Sequence, residues 1–311
     1  MASTTPNTTP AGTIAKRLAA RQSSGARLLK GIRVGLRRYS SSKPALVALL
    51  IVVAVVLVAI FAELITTQSP TSTHLTARFV PPLTEGYILG SDTLGRDVLT
   101  RVIFGARVSL AVSVLAALIS VVVGVLLGLL AGFKGGWTDI ILMRIVDGQV
   151  GFPFIVIAVV VVAIIGGSVL TLVLLLGLWG WAFFGRLTRG EILTIKENEY
   201  ITAARAIGAS STRIAFRHVL PQAIAPIIVL ASFYLPAIMV IEASLSFLGL
   251  GISPPTPTWG NMLAESRAHM ERAWWVLLMP GLALSLTVLA FNIVGDRLRD
   301  VLDPRLRGVT Y

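Results

Sequence analysis

Six long apolar runs divide this 311-residue chain, and they constrain its fold more than any single motif does. The first extends from Ala45 to Ile65; the others cover approximately Val108–Phe133, Phe152–Ile165, Leu170–Phe184, Ile224–Phe247 and Val276–Val294. About 20 residues at ~1.5 Å rise cross a bilayer core of roughly 30 Å, so the longer runs suffice alone. The third is short but extends backwards through Ile140–Val150, with Arg144 and Asp147 near its entrance, spaced i, i+3 as a pair would be. In lipid each unpaired backbone group costs several kcal/mol, so a span is a helix or part of a closed barrel, and no alternating pattern supports a barrel. Composition agrees. With 55% hydrophobic and 14% charged residues, the chain has too little charge to cover a soluble surface of this size. The expectation is an all-α membrane protein with six transmembrane helices.

The charges then set the orientation. With the N-terminus inside, the inner segments carry 21 Lys and Arg and the outer loops (67–107 and 249–275) carry 6, so six spans place both termini in the cytoplasm. About forty polar residues precede the first run, which is unlike a cleaved signal peptide. Residues 1–13 are Thr, Pro, Ala and Ser without apolar periodicity and read as a disordered head. Over 14–43, Leu28, Ile32 and Leu36 recur at helical spacing among Arg27, Lys30, Arg33 and Arg37, which predicts a basic amphipathic helix on membrane lipids. The spans then occupy 44–307, before a short tail at 308–311.

Catalytic signatures are missing. There is no P-loop, no His-Glu-x-x-His and no Gly-x-Ser-x-Gly, and the three histidines are dispersed. There are no cysteines. The excess of 12 positive charges lies mostly between apolar runs, where topology signals lie, and does not argue for nucleic acid.

Three features invite a role. In the second run Ala116, Ser120, Gly124, Gly128 and Gly132 recur every fourth residue, a stripe that lets another helix approach closely, in a bundle or on a partner. Within 186–221, Tyr200, Ala203, Ala204 and Ile207 share a helical face; Gly208 permits a turn, Ser210 or Ser211 can cap a second short helix containing Ile214, and Pro221 suits the first turn of the next span. Glu242 is an acid deep in a span, serving either function or an interhelical hydrogen bond to Ser244 or to backbone, and Asn292 in the last span is a similar polar site with packing favoured. Trp137, Trp274 and Trp275 fall at expected interfaces.

Ala203-Ala204-x-x-x-Gly208 followed by His218-x-Leu220-Pro221 resembles the EAA loop of ABC importer permeases, with Thr202 where the general motif has Glu. Leu89-Gly90-Ser91-Asp92-Thr93-Leu94-Gly95-Arg96-Asp97-Val98-Leu99, then Gly105-Ala106-Arg107, resembles the dipeptide/oligopeptide/nickel branch of that family. So do Ser244-Leu245-Ser246-Phe247-Leu248-Gly249-Leu250-Gly251 with Trp259-Gly260, and the tail from Gly295-Asp296-Arg297 to Asp303-Pro304-Arg305. The single long Asp92–Asp97 segment after one span is similar to the C-type subunit.

That resemblance implies a type I importer permease fold and a non-catalytic subunit forming half of a pathway for di- and oligopeptides. Nickel, opines or glutathione are the alternative cargoes, and a secondary transporter or a membrane scaffold is a more distant reading. It implies a homologous permease partner, two ATPase subunits that bind ATP and Mg²⁺, and an extracytoplasmic substrate-binding protein; this chain would hold no cofactor and no metal. Carried over by motif, the ATPase-coupling loop is 196–221, with Tyr200, Ala203, Ala204, Arg205, Gly208, Ile214, His218, Leu220 and Pro221.

Overall fold

The structure, a computed structural model, describes residues 42–302. The expected disordered head, the body of the surface helix and the tail at 308–311 lie outside those residues. The main helices among the described residues are, in order, α1 (Lys43–Ile60), α2 (Val98–Lys134), α3 (Gly136–Gly151), α4 (Phe154–Ile165), α5 (Val169–Ile195), α6 (Glu199–Ala206), α7 (Ser211–Ile214), α8 (Leu220–Phe247), α9 (Trp259–Ser266) and α10 (Trp274–Leu302). A four-residue α-helix, Ala62–Ile65, and a 3₁₀ turn, Leu75–Ala77, punctuate the segment after α1, and a π-helical turn, Ala215–Val219, joins α7 to α8. Five helical runs are long and apolar enough to span: α1, α2, α5, the continuous α7–α8 and α10. α3 and α4 meet at 87° and together are apolar enough for a sixth span, broken at the bend, or for a re-entrant loop. Pro153 stands at that corner; it lacks an N–H and restricts Phe152 to extended backbone, so the helix stops at Gly151.

Two spans outrun their apolar sequence because charged residues in them are matched. α2 begins at Val98 rather than Val108: the Asp97 carboxylate accepts from the Thr100 backbone N–H (2.8 Å) and hydroxyl (2.7 Å), capping a first turn in which Arg101 is buried. α5 continues to Ile195 rather than Phe184, with Arg189 bonded to Asp139 and Arg186 to Asp147 (2.9 Å). Asp147 thus pairs across to α5 rather than with Arg144 on its own helix.

The α2–α5 pairing is the most extensive in the fold, and the small-residue stripe explains it. A Cβ on Gly124 would lie 2.5 Å from the Phe184 Cβ, one on Gly128 2.5 Å from the Gly185 carbonyl, and one on Gly132 2.9 Å from the Ile192 Cβ. Side chains are therefore excluded at three successive turns, and the two backbones close onto each other. Ser120 adds a hydroxyl bond to the Gly177 carbonyl (2.9 Å), and Lys196 reaches the Gly132 carbonyl (3.1 Å).

Candidate functional site

The segment that follows α5 is anchored by two isoleucines. Ile201 on α6 and Ile214 on α7 are buried together with Ile192, Ile195, Val219 and Ala223. Between them the chain must reverse, and Gly208 does this at φ +83, a conformation that a Cβ resists. Its N–H donates to the Arg205 carbonyl (2.9 Å), and the Ala209 N–H to that of Ala204 (3.0 Å), closing α6 on a left-handed cap. Ser210 then caps α7 by accepting from the Arg213 N–H. The Gln222 amide donates to the His218 carbonyl (3.0 Å) and to the Tyr200 hydroxyl, strapping α6 to α8.

With one face pinned, the other is free. Tyr200, Ala203 and Arg205 are exposed, and Ile207 is 86% exposed. Ala204, His218 and Leu220 are half-buried, and Pro221 is exposed. Ala204 therefore turns partly inward, away from the surface formed by Tyr200, Ala203 and Ile207. Ile201 was not singled out from sequence; its signal was an apolar residue out of phase with that face. The exposed apolar face lies in a segment that also carries Arg205, Arg213 and Arg217, all exposed. It carries no nucleophile or base, and among the described residues no group of three or more His, Asp or Glu could hold a metal.

At the opposite end of α2 and α5, a polar cap is built from the 67–97 segment and α9. Asp92 is its hub. One carboxylate oxygen accepts from the backbone N–H of Leu94 (2.8 Å) and Arg96 (2.9 Å); the other takes the guanidinium groups of Arg96 (2.6 Å) and Arg101. Glu265 on α9 closes the quartet, bonding Arg96 (2.7 Å) and Arg101 (2.8 Å). Asp92, Arg96 and Arg101 are at most 4% exposed, so two buried arginines are neutralised by one buried acid and the half-buried Glu265. Gly95 is required there because a Cβ would lie 1.8 Å from the His74 carbonyl. Trp275 belongs to this cap and not to an interface: it is 6% exposed and its indole N–H donates to the Ser91 carbonyl (3.1 Å). Trp137 and Trp274 are exposed.

Glu242 is fully buried where α8 meets α2 and the start of α9. It accepts from Ser246 (2.9 Å) and from Ser109 of α2 (3.4 Å), and the Ser109 oxygen in turn accepts the Trp259 backbone N–H (3.3 Å). Ser244, the expected partner, points away and bonds the Val240 carbonyl. Gly260 and Gly251 pack on Ser246, with a Cβ on Gly260 2.6 Å from the serine Cβ. The Ser244–Gly251 and Trp259–Gly260 motifs are thus one packed joint around Glu242. Asn292 is half-buried on α10.

A bundle of apolar helices with an anchored interhelical loop describes a class, and comparison with known proteins identifies it. Residues 124–308 match the family described as binding-protein-dependent transport system inner membrane component, and residues 32–82 match the N-terminal TM domain of oligopeptide transport permease C. The chain belongs to this family of multi-pass membrane permeases, the C-type permease subunits of ABC importers. It is 40% identical to the dipeptide transport system permease protein DppC of Alkalihalophilus pseudofirmus, over 89% of this chain and 90% of that one. The di/tripeptide transport system permease protein DppC of Pseudomonas aeruginosa is 41% identical over 87% and 91%, and the glutathione transport system permease protein GsiD of Escherichia coli 42% over 88% and 90%. In fold, the chain resembles a chain of the inward-facing MetNI methionine ABC transporter, with a TM-score of 0.54 at 20% identity, covering 66% of this chain and 97% of that one.

Proposed function

We propose that this permease forms half of the translocation pathway of an ATP-driven importer for di- and oligopeptides and receives its power stroke through residues 196–221. The observation that carries the coupling role is the two-sidedness of α6: Ile201 is buried while Ile207 and Tyr200 face outward. A loop that served only to connect spans has no use for an isoleucine held 86% exposed beside a rigid glycine turn. A knob held on a pinned base, in contrast, transmits force. The cargo reading rests on the two peptide permeases above; the comparably similar glutathione permease supports a glutathione reading of the same machinery. Both termini then lie in the cytoplasm, as the bias in Lys and Arg favours. The partners are a homologous permease, two ATPases that bind ATP and Mg²⁺, and an extracytoplasmic binding protein.

The test is purification of the tagged chain from gently solubilised membranes, with ATPase activity assayed on the eluate. Recovery of a second permease and P-loop subunits is expected, and Ile207→Arg should abolish ATPase recovery while the chain still inserts. A chain that elutes alone, or ATPases that ignore Ile207→Arg, would remove the coupling role. Uptake of labelled dipeptide, competed by unlabelled dipeptide but not by glutathione, separates the two cargoes.

A further inference from the structure

The first apolar run ends at Ile65, and Thr66, Thr67 and Gln68 are the first polar residues beyond it, so they mark the level at which the chain leaves the hydrocarbon. The Gln68 amide donates to the Gly86 carbonyl (3.4 Å). That bond brings a second piece of chain, the tight turn Thr84–Tyr87, to the same level at the Ile65 end of the first span. Phe61, Leu64 and Ile65 are exposed there, as the end of a lipid-facing helix would be.

The turn belongs to a small hairpin that holds apolar side chains outward. Leu83 stands at φ +63, a conformation that L side chains rarely adopt, and it is 89% exposed. Its N–H donates to the carbonyl of Ile88 (3.1 Å), which is 61% exposed, and the Tyr87 N–H donates to the Thr84 carbonyl (2.8 Å). The Thr84 hydroxyl closes on the Pro81 carbonyl (2.8 Å). Pro81 and Pro82 carry no N–H, so the strand leading to Leu83 has two fewer donors to leave unpaired beside lipid. At the base of the hairpin the Ser91 N–H donates to the Val80 carbonyl (3.0 Å) and the Val80 N–H to the Ser91 hydroxyl (2.8 Å), one residue from the buried Asp92. Glu85, exposed at the tip, is the one charged side chain between Phe79 and Ser91. A lone exposed leucine would mean little, but Leu83 and Ile88 add to Phe61, Leu64 and Ile65 at one level of the molecule.

We infer that the Pro81–Ile88 hairpin is an interfacial membrane anchor: Leu83 and Ile88 rest in the leaflet beside the end of the first span, and Glu85 stays among the lipid headgroups. The partner is the lipid surface itself. An acidic tip gains nothing from anionic lipid, so seating depends on apolar burial and not on headgroup charge. Through the paired Val80 and Ser91, the anchor fixes the height of the Asp92 cap relative to the bilayer. Neither the coupling role nor the cargo enters into this anchoring.

A chain without cysteine makes the test direct. Leu83→Cys and Ile88→Cys, with Leu57→Cys in α1 and Thr73→Cys on the cap segment as references, are each made in the full complex in nanodiscs and given a nitroxide label. Power-saturation EPR then reads collision with oxygen, which concentrates in lipid, and with nickel ethylenediaminediacetate, which stays in water. The oxygen-to-nickel ratio at positions 83 and 88 is expected to be at least several-fold above that at 73 and to approach that at 57. It should hold when zwitterionic lipid is partly replaced by anionic lipid. A ratio at 83 and 88 equal to that at 73 would show water on the hairpin and overturn the anchor, leaving the hairpin to a soluble partner. Weak collision with both reagents would show that another subunit covers it, which overturns the anchor equally.

Discussion

The two ends of the α2–α5 pair are held by opposite kinds of force. At the cap, Asp92, Arg96, Arg101 and Glu265 lock the 67–97 segment to α9 through short, directional, charge-assisted bonds. Such bonds have one good geometry, and a buried guanidinium without its carboxylate is heavily penalised. At the coupling end, Ile201 and Ile214 hold the loop by apolar contact, which is non-directional and tolerates small shifts. The end that carries the exposed Ile207 is the one whose described anchors are apolar rather than buried ion pairs.

The sharpest way to break that contrast is Asp92→Ala, which strands two buried arginines against one half-buried acid. A loss of about 3–5 kcal/mol is expected for a broken buried pair, seen as a large fall in melting temperature of the purified chain. An unchanged melting temperature would mean that the cap does not depend on its charges. Ile201→Ala should cost about 2–5 kcal/mol, but locally, as a cavity beneath α6. Trypsin cleavage after Arg205 or Arg213 should accelerate while the cap resists; equal cleavage at both ends would show that they are not independent. Gly128→Val forces a side chain onto the Gly185 carbonyl and should cost about 1–3 kcal/mol by prising α2 from α5, read as a lower melting temperature. Glu242→Gln is the mildest. The amide oxygen still accepts from a serine hydroxyl, so stability should stay within about 1 kcal/mol and uptake should persist. A collapse of uptake with normal assembly would instead give the carboxylate a direct role.

Hydropathy made the spans legible but blurred their ends, and the reason lies in named arginines. Arg101 and Arg107 interrupt the apolar pattern before Val108, yet Arg101 is buried in the quartet and Arg107 pairs with Glu63 (2.7 Å), so the helix runs through both. Arg186 and Arg189 conceal the end of α5 in the same way. Their partners, Asp147 and Asp139, lie dozens of residues upstream, where no local pattern reveals them. The 87° break was half visible, as a short run that had to be extended backwards. Pro153 was the available signal, but the angle at it depends on what packs on either side. Within residues 196–221, motif spacing located the glycine turn and the outward Tyr200, Ala203 and Ile207, but not the partly inward Ala204. It did not identify Ile201, because burial of a residue out of phase with the visible face is decided by α5 and α8.

The close-packed glycines of α2 have a mechanical meaning. Val98–Lys134 is about 55 Å long at ~1.5 Å per residue, carries the cap at its first turns and touches the root of the coupling segment at Gly132. Gly124, Gly128 and Gly132 fuse it to α5, whose far end is the base on which Ile201 sits. The pair is close-packed at three successive turns between the cap and the root of the 196–221 loop. Under the proposed coupling role, a push at Ile207 would reach the cap through this packed pair, and opening would fall at seams where the pair meets other helices or another subunit.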